Sequence, residues 1–133
     1  MTSTIVYKGD LRTEMTHLES GTVIFTDAPK DNHGKGEAFS PTDLVATGLG
    51  ACMVSIMGIY ARQHDLDIEG TRVEITKIMA TNPRRISEIK AILTMPKRNF
   101  TEKDQKALER AALTCPVSQS LSADLVQDIS FVW

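Results

Sequence analysis

The feature that most constrains the fold is an eighteen-residue stretch, residues 44–61, in which no side chain carries a charge. This length is at the lower limit for a helix that crosses a membrane. Glycine, alanine, threonine and serine recur through the stretch, so it is less apolar than a lipid-facing helix usually is, and no Lys or Arg cluster precedes it. We therefore interpret it as a helix of a soluble protein, buried on most of its faces, and expect no membrane contact.

The residues just before this stretch have the pattern of a helix start. Ser40 is a good N-cap, Pro41 suits the first helical position, and Asp43 falls in the first turn, where the helix dipole favours negative charge. The helix is predicted to extend to about Gln63. Its larger apolar side chains recur at three- and four-residue steps, which predicts a buried stripe of Val45, Leu49, Cys52, Ile56 and Tyr60.

Strands and two shorter helices are predicted on either side of this helix. β-Branched residues and alternating apolar positions predict strands at residues 5–7, 11–18, 22–26, 72–79, 86–95 and 125–133. Thr101 and Asp104 form a capping box for a second helix to about Leu113, and a third helix follows Cys115 to about Ser122. Runs of strands broken by a few helices predict an α+β fold. The chain length is that of a single domain, residues 1–133.

A long helix without charges is difficult to cover on all sides in so short a chain. Packing against a second copy, most simply across a two-fold axis, would bury the faces that the chain itself leaves open. We therefore expect a homodimer.

Charge and composition exclude several classes of function. The chain has 15 Lys and Arg and 17 Asp and Glu, a formal net charge of −2, without the clustered basic face of a nucleic-acid-binding protein. Two cysteines far apart in the sequence are neither a disulfide framework nor a zinc site, and the three histidines lack metal-ligand spacing. We expect no metal and no other cofactor. Because no signal peptide is visible, we expect a cytoplasmic protein, in which thiols stay reduced.

The two cysteines allow two interpretations. Cys52 is about three turns into the uncharged helix, and Cys115 precedes Pro116 at the predicted start of another. Free cysteines are often small buried hydrophobic residues, and both can be explained that way. Alternatively they form a redox couple: a helix N-terminus favours the thiolate of Cys115, whereas Cys52 would need a cation from elsewhere in the fold.

The segments around both cysteines resemble those of one known family. Residues 39–53, FSPTDLVATGLGACM, look like the central-helix motif of the OsmC/organic hydroperoxide resistance (Ohr) family, and residues 114–118, TCPVS, look like its second cysteine motif. Length, element order and cysteine spacing fit as well, so the resemblance covers nearly the whole chain. It implies an OsmC-like fold, with antiparallel sheets wrapped around long central helices in an intertwined homodimer.

The resemblance also implies a role for each cysteine. Cys52 corresponds to the thiolate that attacks an alkyl hydroperoxide or hydrogen peroxide and becomes a sulfenic acid. Cys115 corresponds to the thiol that resolves it as an intrachain disulfide, and a sulfenic acid does condense readily with a nearby thiol. In the best-known branch of the family, a dithiol such as lipoamide regenerates the reduced form.

Two further site residues follow from the same resemblance. The family's arginine on the N-terminal strands, which stabilises the thiolate, corresponds best to Arg12. The glutamate that orients this arginine stands ten residues before the first cysteine in the peroxidase branches, where this chain has Thr42. Asp43, one residue later, either takes over that role or serves only as a helix-start carboxylate. This departure points to a more general OsmC-like branch.

We therefore predict a thiol-dependent peroxidase with Cys52, Cys115, Arg12 and Asp43 as catalytic residues. Its expected partners are a second copy of the chain, a peroxide substrate and a dithiol reductant. The absence of the glutamate supports an alternative, in which the same dimer binds a small hydrophobic ligand without peroxidase turnover. A disulfide formed on peroxide treatment favours the peroxidase, and unchanged thiols favour the binding protein.

Overall fold

The computed structural model describes the whole chain, residues 1–133, as two compact units. The N-terminal unit is Met1–Val45, and the C-terminal unit is Ala46–Trp133. The predicted α+β order of strands and helices is confirmed, with one additional 3₁₀ turn at Lys30–Asn32. The assignment of one domain to the chain stays a prediction.

The N-terminal unit contains a three-stranded antiparallel sheet. Its strands, in spatial order, are β1 (Ser3–Gly9), β2 (Arg12–His17) and β3 (Val23–Asp27). The turn between β1 and β2 is tight, and Gly9, with a φ of 87°, supplies a left-handed backbone conformation there. In the register of β2 and β3, Arg12 lies opposite Asp27. The sheet therefore brings a cation and a carboxylate together at the ends of two neighbouring strands.

The C-terminal unit contains a second three-stranded sheet, with the spatial order β4 (Arg72–Ala80), β5 (Arg85–Thr94) and β6 (Val126–Val132). β4 and β5 are antiparallel, but β5 and β6 are parallel, so the prediction of antiparallel sheets is wrong for this pair. The physical reason is the connection. Two helices, α2 (Glu102–Leu113) and α3 (Pro116–Ser120), return the chain to the end of the sheet at which β5 began.

The long helix α1 (Pro41–Gln63) begins where the sequence predicts. The backbone N–H of Asp43 donates to Oγ of Ser40 at 3.1 Å, and the N–H of Ser40 donates to Oδ2 of Asp43 at 2.9 Å. This reciprocal pair satisfies donors that the first turn of a helix leaves open.

The buried face of α1 differs from the predicted stripe. Its buried residues are Ala46, Leu49, Gly50, Met53, Met57 and Ala61. Of the predicted positions only Leu49 is fully buried, whereas Cys52, Ile56 and Tyr60 are half-buried and Val45 is exposed. The buried face lies one position further along the helix than the predicted stripe, at Met53 and Met57 instead of Cys52 and Ile56, and it includes small residues that a stripe of large side chains leaves out. A Cβ on Gly50 would lie 2.8 Å from Cδ1 of Ile75.

The core of the C-terminal unit lies between α1, β5 and α2. Leu49, Leu93 and Leu108, one from each of these elements, have no solvent exposure. By length and composition alone α1 could cross a membrane, with a mean hydropathy of 1.8, a property that core helices of soluble proteins share. Only 33% of that segment is buried within the chain, so the expected burial on most faces is not reached in the single chain.

Candidate thiol site

Cys52 and Cys115 meet in the C-terminal unit. Cys52 lies on α1, Cys115 is the N-cap of α3, and the side chain of Cys52 is near enough to act on the Cys115 thiol. Both thiols are free. Cys115 is completely buried in the core, whereas Cys52 is half-buried at its edge. The pair therefore combines one sulfur that small molecules can reach with a second sulfur held inside the protein.

The environment of Cys115 keeps its proton on the sulfur. Burial raises the pKa of this thiol above its ordinary value, and the neighbouring Cys52 raises it further. The backbone N–H groups of Ser118 and Val117 lower it, and the Ser118 N–H donates to Sγ at 3.3 Å. The N–H groups at the helix start do favour the Cys115 thiolate, as expected, but burial outweighs them. Cys115 is a neutral thiol at neutral pH.

Arg12 is held in the N-terminal unit by two carboxylates. Its Nε and Nη2 donate to Oδ1 and Oδ2 of Asp27 at 2.7 and 2.8 Å, and Nη2 also donates to Oε2 of Glu37 at 2.9 Å. Asp27 is only 1% exposed and accepts a further hydrogen bond from the Glu37 N–H at 3.1 Å. The hydrogen bonds with Arg12 hold the pKa of the Asp27 carboxyl below its ordinary value. The same contacts, first with Asp27 and then with Glu37, raise the pKa of Arg12.

Neither Asp27 nor Glu37 is among the residues predicted from the sequence. Asp27 has a weak signal, since an acidic residue that ends a strand and is followed by Pro29 interrupts the pattern of β3. The partner, however, depends on the register of β2 and β3, which the sequence alone does not determine. Glu37 lies in an irregular loop, and no sequence pattern marks it as a partner of Arg12.

Asp43 lies at the start of α1, where its carboxylate accepts from the Ser40 N–H, as a helix-start carboxylate does. The hydroxyl of Thr42, at the position of the family glutamate, forms a hydrogen bond with that of Ser40 at 3.1 Å. Arg12 and Asp43 belong to the N-terminal unit and both cysteines to the C-terminal unit. That Arg12 stabilises Cys52, and that Asp43 orients Arg12, both stay predictions.

No group of three or more His, Cys, Asp and Glu side chains in the chain could hold a metal ion. The chemistry that the described residues offer is that of the thiol pair and of a permanently charged guanidinium.

Comparison with known proteins identifies the family. The family model for OsmC-like proteins matches residues 34–129. A crystal structure from Psychrobacter arcticus 273-4, described as an osmotic stress induced and detoxification response protein, is 50% identical to this chain. It superposes with a TM-score of 0.94, and the match covers 98% of this chain and 95% of that one.

Two other matches have the same fold at low identity. The organic hydroperoxide resistance protein OsmC of Legionella pneumophila is 18% identical, with a TM-score of 0.73 and coverage of 100% of this chain and 98% of that one. The corresponding protein OhrB of Bacillus subtilis is 16% identical, with a TM-score of 0.68 and 98% coverage of each chain. No curated protein sequence matches the chain. The family model and the Psychrobacter structure together show that this chain belongs to the family of OsmC-like proteins.

Proposed function

We propose that the protein is a thiol-dependent peroxidase that reduces organic hydroperoxides or hydrogen peroxide in defence against oxidative stress. The observation that carries this proposal is the proximity of the Cys52 and Cys115 side chains. Two neighbouring free thiols, one half-buried and one fully buried, are what a two-cysteine peroxide reduction needs. Membership of the OsmC-like family, in which proteins of hydroperoxide resistance share the fold, supports the same reaction.

The first step oxidises Cys52. Its thiolate attacks one oxygen of the peroxide, the O–O bond breaks, and the remaining oxygen leaves as an alkoxide that takes up a proton to give the alcohol. Cys52 becomes a sulfenic acid. Cys52 is suited to this step because it is the cysteine that solvent reaches.

The second step uses Cys115. Its sulfur attacks the sulfur of the Cys52 sulfenic acid, and the hydroxyl group leaves with the Cys115 proton as water. The product is an intrachain disulfide. Burial and protonation keep Cys115 from competing with Cys52 for peroxide, and its position near Cys52 places it close to the sulfenic acid when that forms. A dithiol then restores both thiols.

Arg12 is the proposed electrostatic partner of the Cys52 thiolate. Its charge is permanent, and its bonds to Asp27 and Glu37 use Nε and Nη2. Asp43 contributes by closing the first turn of α1, the helix that carries Cys52.

The proposed active form is a homodimer. One face of α1 is uncharged and open to solvent in the single chain, with Val45 and Ile59 at 43% and 56% exposure and the small residues Ala51 and Ser55 between them. The N-terminal sheet also exposes Ile5 and several other large apolar side chains. Exposed apolar surface of this extent is typical of an interface, and a second copy is its simplest cover.

Peroxide consumption in the presence of a dithiol tests the proposal. We expect the wild-type protein to consume cumene hydroperoxide or tert-butyl hydroperoxide, and Cys52→Ser to lower the rate at least about a thousandfold. Ser130→Ala is the control: its exposed side chain on β6 belongs to neither the thiol site nor the proposed interface. Equal rates for the wild type and Cys52→Ser contradict the proposal.

One observation favours the alternative of a ligand-binding protein. An apolar groove of about 210 Å³ lies between α1 and β4, lined by Thr47, Gly50, Ala51, Val54, Val73 and Ile75. Val54→Trp would fill it. If binding is the function, this variant loses binding of an apolar fluorescent dye, and peroxide leaves both wild-type thiols unchanged. A disulfide formed by peroxide contradicts this alternative.

A further inference from the structure

Gln127 forms two hydrogen bonds with a single residue of α3. Its Oε1 accepts from Oγ of Ser118 at 2.6 Å, and its Nε2 donates to the backbone carbonyl of Ser118 at 3.1 Å. Gln127 lies on the same face of β6 as Ile129 and Phe131, which pack against the core. An amide on a core-facing position is costly unless its polar atoms are bonded. Here both are bonded, and they fix α3 to β6.

Ser118, to which Gln127 is bonded, also contacts the buried Cys115. The backbone N–H of Ser118 donates to Sγ of Cys115 at 3.3 Å, and the N–H of Val117 also acts on this sulfur. A contiguous chain of hydrogen bonds therefore extends from Gln127 through Ser118 to Cys115. Because α3 has only the five residues Pro116–Ser120, its own helical bonds hold these donors weakly, and the bonds to β6 add the missing support.

The two sulfurs of a Cys52–Cys115 disulfide are not equivalent. A reductant from solvent reaches Cys52, whereas Cys115 is completely buried. Attack on Cys52 therefore expels Cys115 as a thiolate inside the core. A buried anion is costly without donors, and a thiol with a lower pKa leaves faster in thiol–disulfide exchange. The donors available to it are the N–H groups of Ser118 and Val117.

We propose that Gln127 is a positioning residue for the reductive half of the reaction: through Ser118 it keeps the N–H donors on Cys115, so that Cys115 leaves as a stabilised thiolate when a dithiol attacks Cys52. This rests on the proposed function in that it assumes the Cys52–Cys115 disulfide is the oxidised state.

Reduction of the Cys52–Cys115 disulfide takes two successive thiol–disulfide exchanges. A thiolate of the dithiol bonds to Sγ of Cys52, the Cys52–Cys115 bond breaks, and its electron pair goes to Cys115, which then takes up a proton. The second thiol of the reductant, as a thiolate, attacks the reductant sulfur bound to Cys52. Cys52 leaves as a thiolate, and the reductant becomes a cyclic disulfide. Two electrons pass from the dithiol to the protein.

The test begins from protein oxidised with diamide, which forms the disulfide without any peroxide. The rate of its reduction by dithiothreitol is compared in the wild type, Gln127→Leu and the matched control Gln119→Leu, whose glutamine is exposed on α3. We expect Gln127→Leu to be reduced about five- to tenfold more slowly, because its leaving thiolate is less stabilised. Gln119→Leu keeps the wild-type rate. With a monothiol in place of dithiothreitol, peptide mapping finds the mixed disulfide on Cys52.

A second pair of variants tests the chain of contacts if Gln127→Leu does not fold. Ser118→Ala keeps the N–H donor but loses the bond from Oγ to Gln127, and Ser120→Ala loses only a bond from its hydroxyl to the Pro116 carbonyl at 2.8 Å. We expect slower reduction in Ser118→Ala and no change in Ser120→Ala.

Thiolate absorbance distinguishes positioning from loss of structure. In a Cys52→Ser background, adding Gln127→Leu releases Ser118 and so loosens the N–H donors on Cys115, which makes the thiolate appear at higher pH. General loosening of the core would expose Cys115 and move the titration to lower pH. Wild-type reduction rates in both Gln127→Leu and Ser118→Ala, a titration that is unchanged or moves lower, or a mixed disulfide on Cys115 would overturn the proposal. If diamide gives these expected results but peroxide forms no disulfide, the proposed function fails and the role of Gln127 stands.

Discussion

The two units of the molecule are stabilised in different ways. The C-terminal unit has a closed apolar core, in which Leu49, Leu93 and Leu108 have no contact with solvent. The N-terminal unit leaves Ile5, Phe25 and other large apolar side chains exposed, while the carboxylate of Asp27 is buried against Arg12. The N-terminal unit therefore combines a buried ion pair with exposed apolar side chains, whereas the C-terminal unit is stabilised by apolar packing.

The thiols and the arginine of the candidate site also belong to different units. The thiols lie together in the apolar unit, where burial keeps Cys115 protonated. The permanent cation lies in the unit whose buried groups are polar and charged. Variants in the two units should consequently differ in both size and pH dependence of their effects.

The largest expected effect is on the apolar core. Leu108→Ala on α2 removes a fully buried side chain, and we expect it to lower the free energy of unfolding by about 3 kcal/mol. Leu113→Ala, on the same helix but 46% exposed, should cost about 0.5 kcal/mol. Urea unfolding followed by fluorescence of Trp133, the only tryptophan, measures both, because its Nε1 donates to Glu109 of α2 at 2.8 Å. Equal losses would contradict a closed core.

The next effect concerns the exposed face of α1. Ile59→Glu places a charge in the proposed dimer interface, and we expect it to weaken self-association about a hundredfold. Ile92→Glu on β5, where the apolar residue is also exposed, is the control and should leave association unchanged. Sedimentation measures both. A wild-type protein that stays monomeric at every concentration would contradict the dimer.

A smaller effect is expected for the buried ion pair. Asp27→Asn should lower the melting temperature by about 5 °C at neutral pH, because Arg12 loses its buried partner. Glu37→Gln should change it less, since Glu37 is mostly exposed and makes one contact with Arg12. Calorimetry measures both changes.

The contribution of the Arg12–Asp27 pair to stability should decrease in acid. Because the pKa of Asp27 is lowered in the folded protein, its contribution to stability is present above the ordinary value of 3.8 and is lost as the pH falls below it. The difference between wild type and Asp27→Asn should therefore shrink in acid. A difference that stays constant below pH 3.8 would show that the carboxylate charge is not what stabilises the unit.

The smallest effect is expected in alkali. The pKa of Cys115 is raised above its ordinary value of 9.0, so the folded protein holds this proton more tightly than the unfolded chain. Its contribution is complete below pH 9.0 and declines as the pH rises above it. The stability of the wild type relative to Cys115→Ala should fall in that range. If the relative stability rises instead, burial does not favour the neutral thiol.

Much of the fold could be predicted from local sequence signals. Ser40, Pro41 and Asp43 marked the start of α1 correctly, and the capping box of Thr101 and Asp104 marked that of α2, because caps depend on neighbouring residues. The parallel pairing of β5 and β6 was missed, since it depends on the path of the chain through two helices. The buried face of α1 was missed because several faces of an uncharged helix look alike in sequence, and the elements that pack against it decide which one is covered.

In the candidate site, too, local sequence signals were readable and contacts distant in the chain were not. The two cysteines were found because their motifs are local in the sequence. Asp27, Glu37 and Gln127 were not, since each acts through a partner distant in the chain. The net shift of the Cys115 pKa could not be predicted for a related reason: the helix start does favour the thiolate, but burial depends on the assembled core and outweighs it.

The state of the two thiols after treatment with one equivalent of tert-butyl hydroperoxide tests directly whether Cys52 and Cys115 are a redox couple. We expect an intact mass lower by two hydrogens and a peptide that links Cys52 to Cys115, with no such peptide in Cys52→Ser. Wild-type protein that keeps both thiols free under these conditions, while a known thiol peroxidase in the same tube is oxidised, would contradict it.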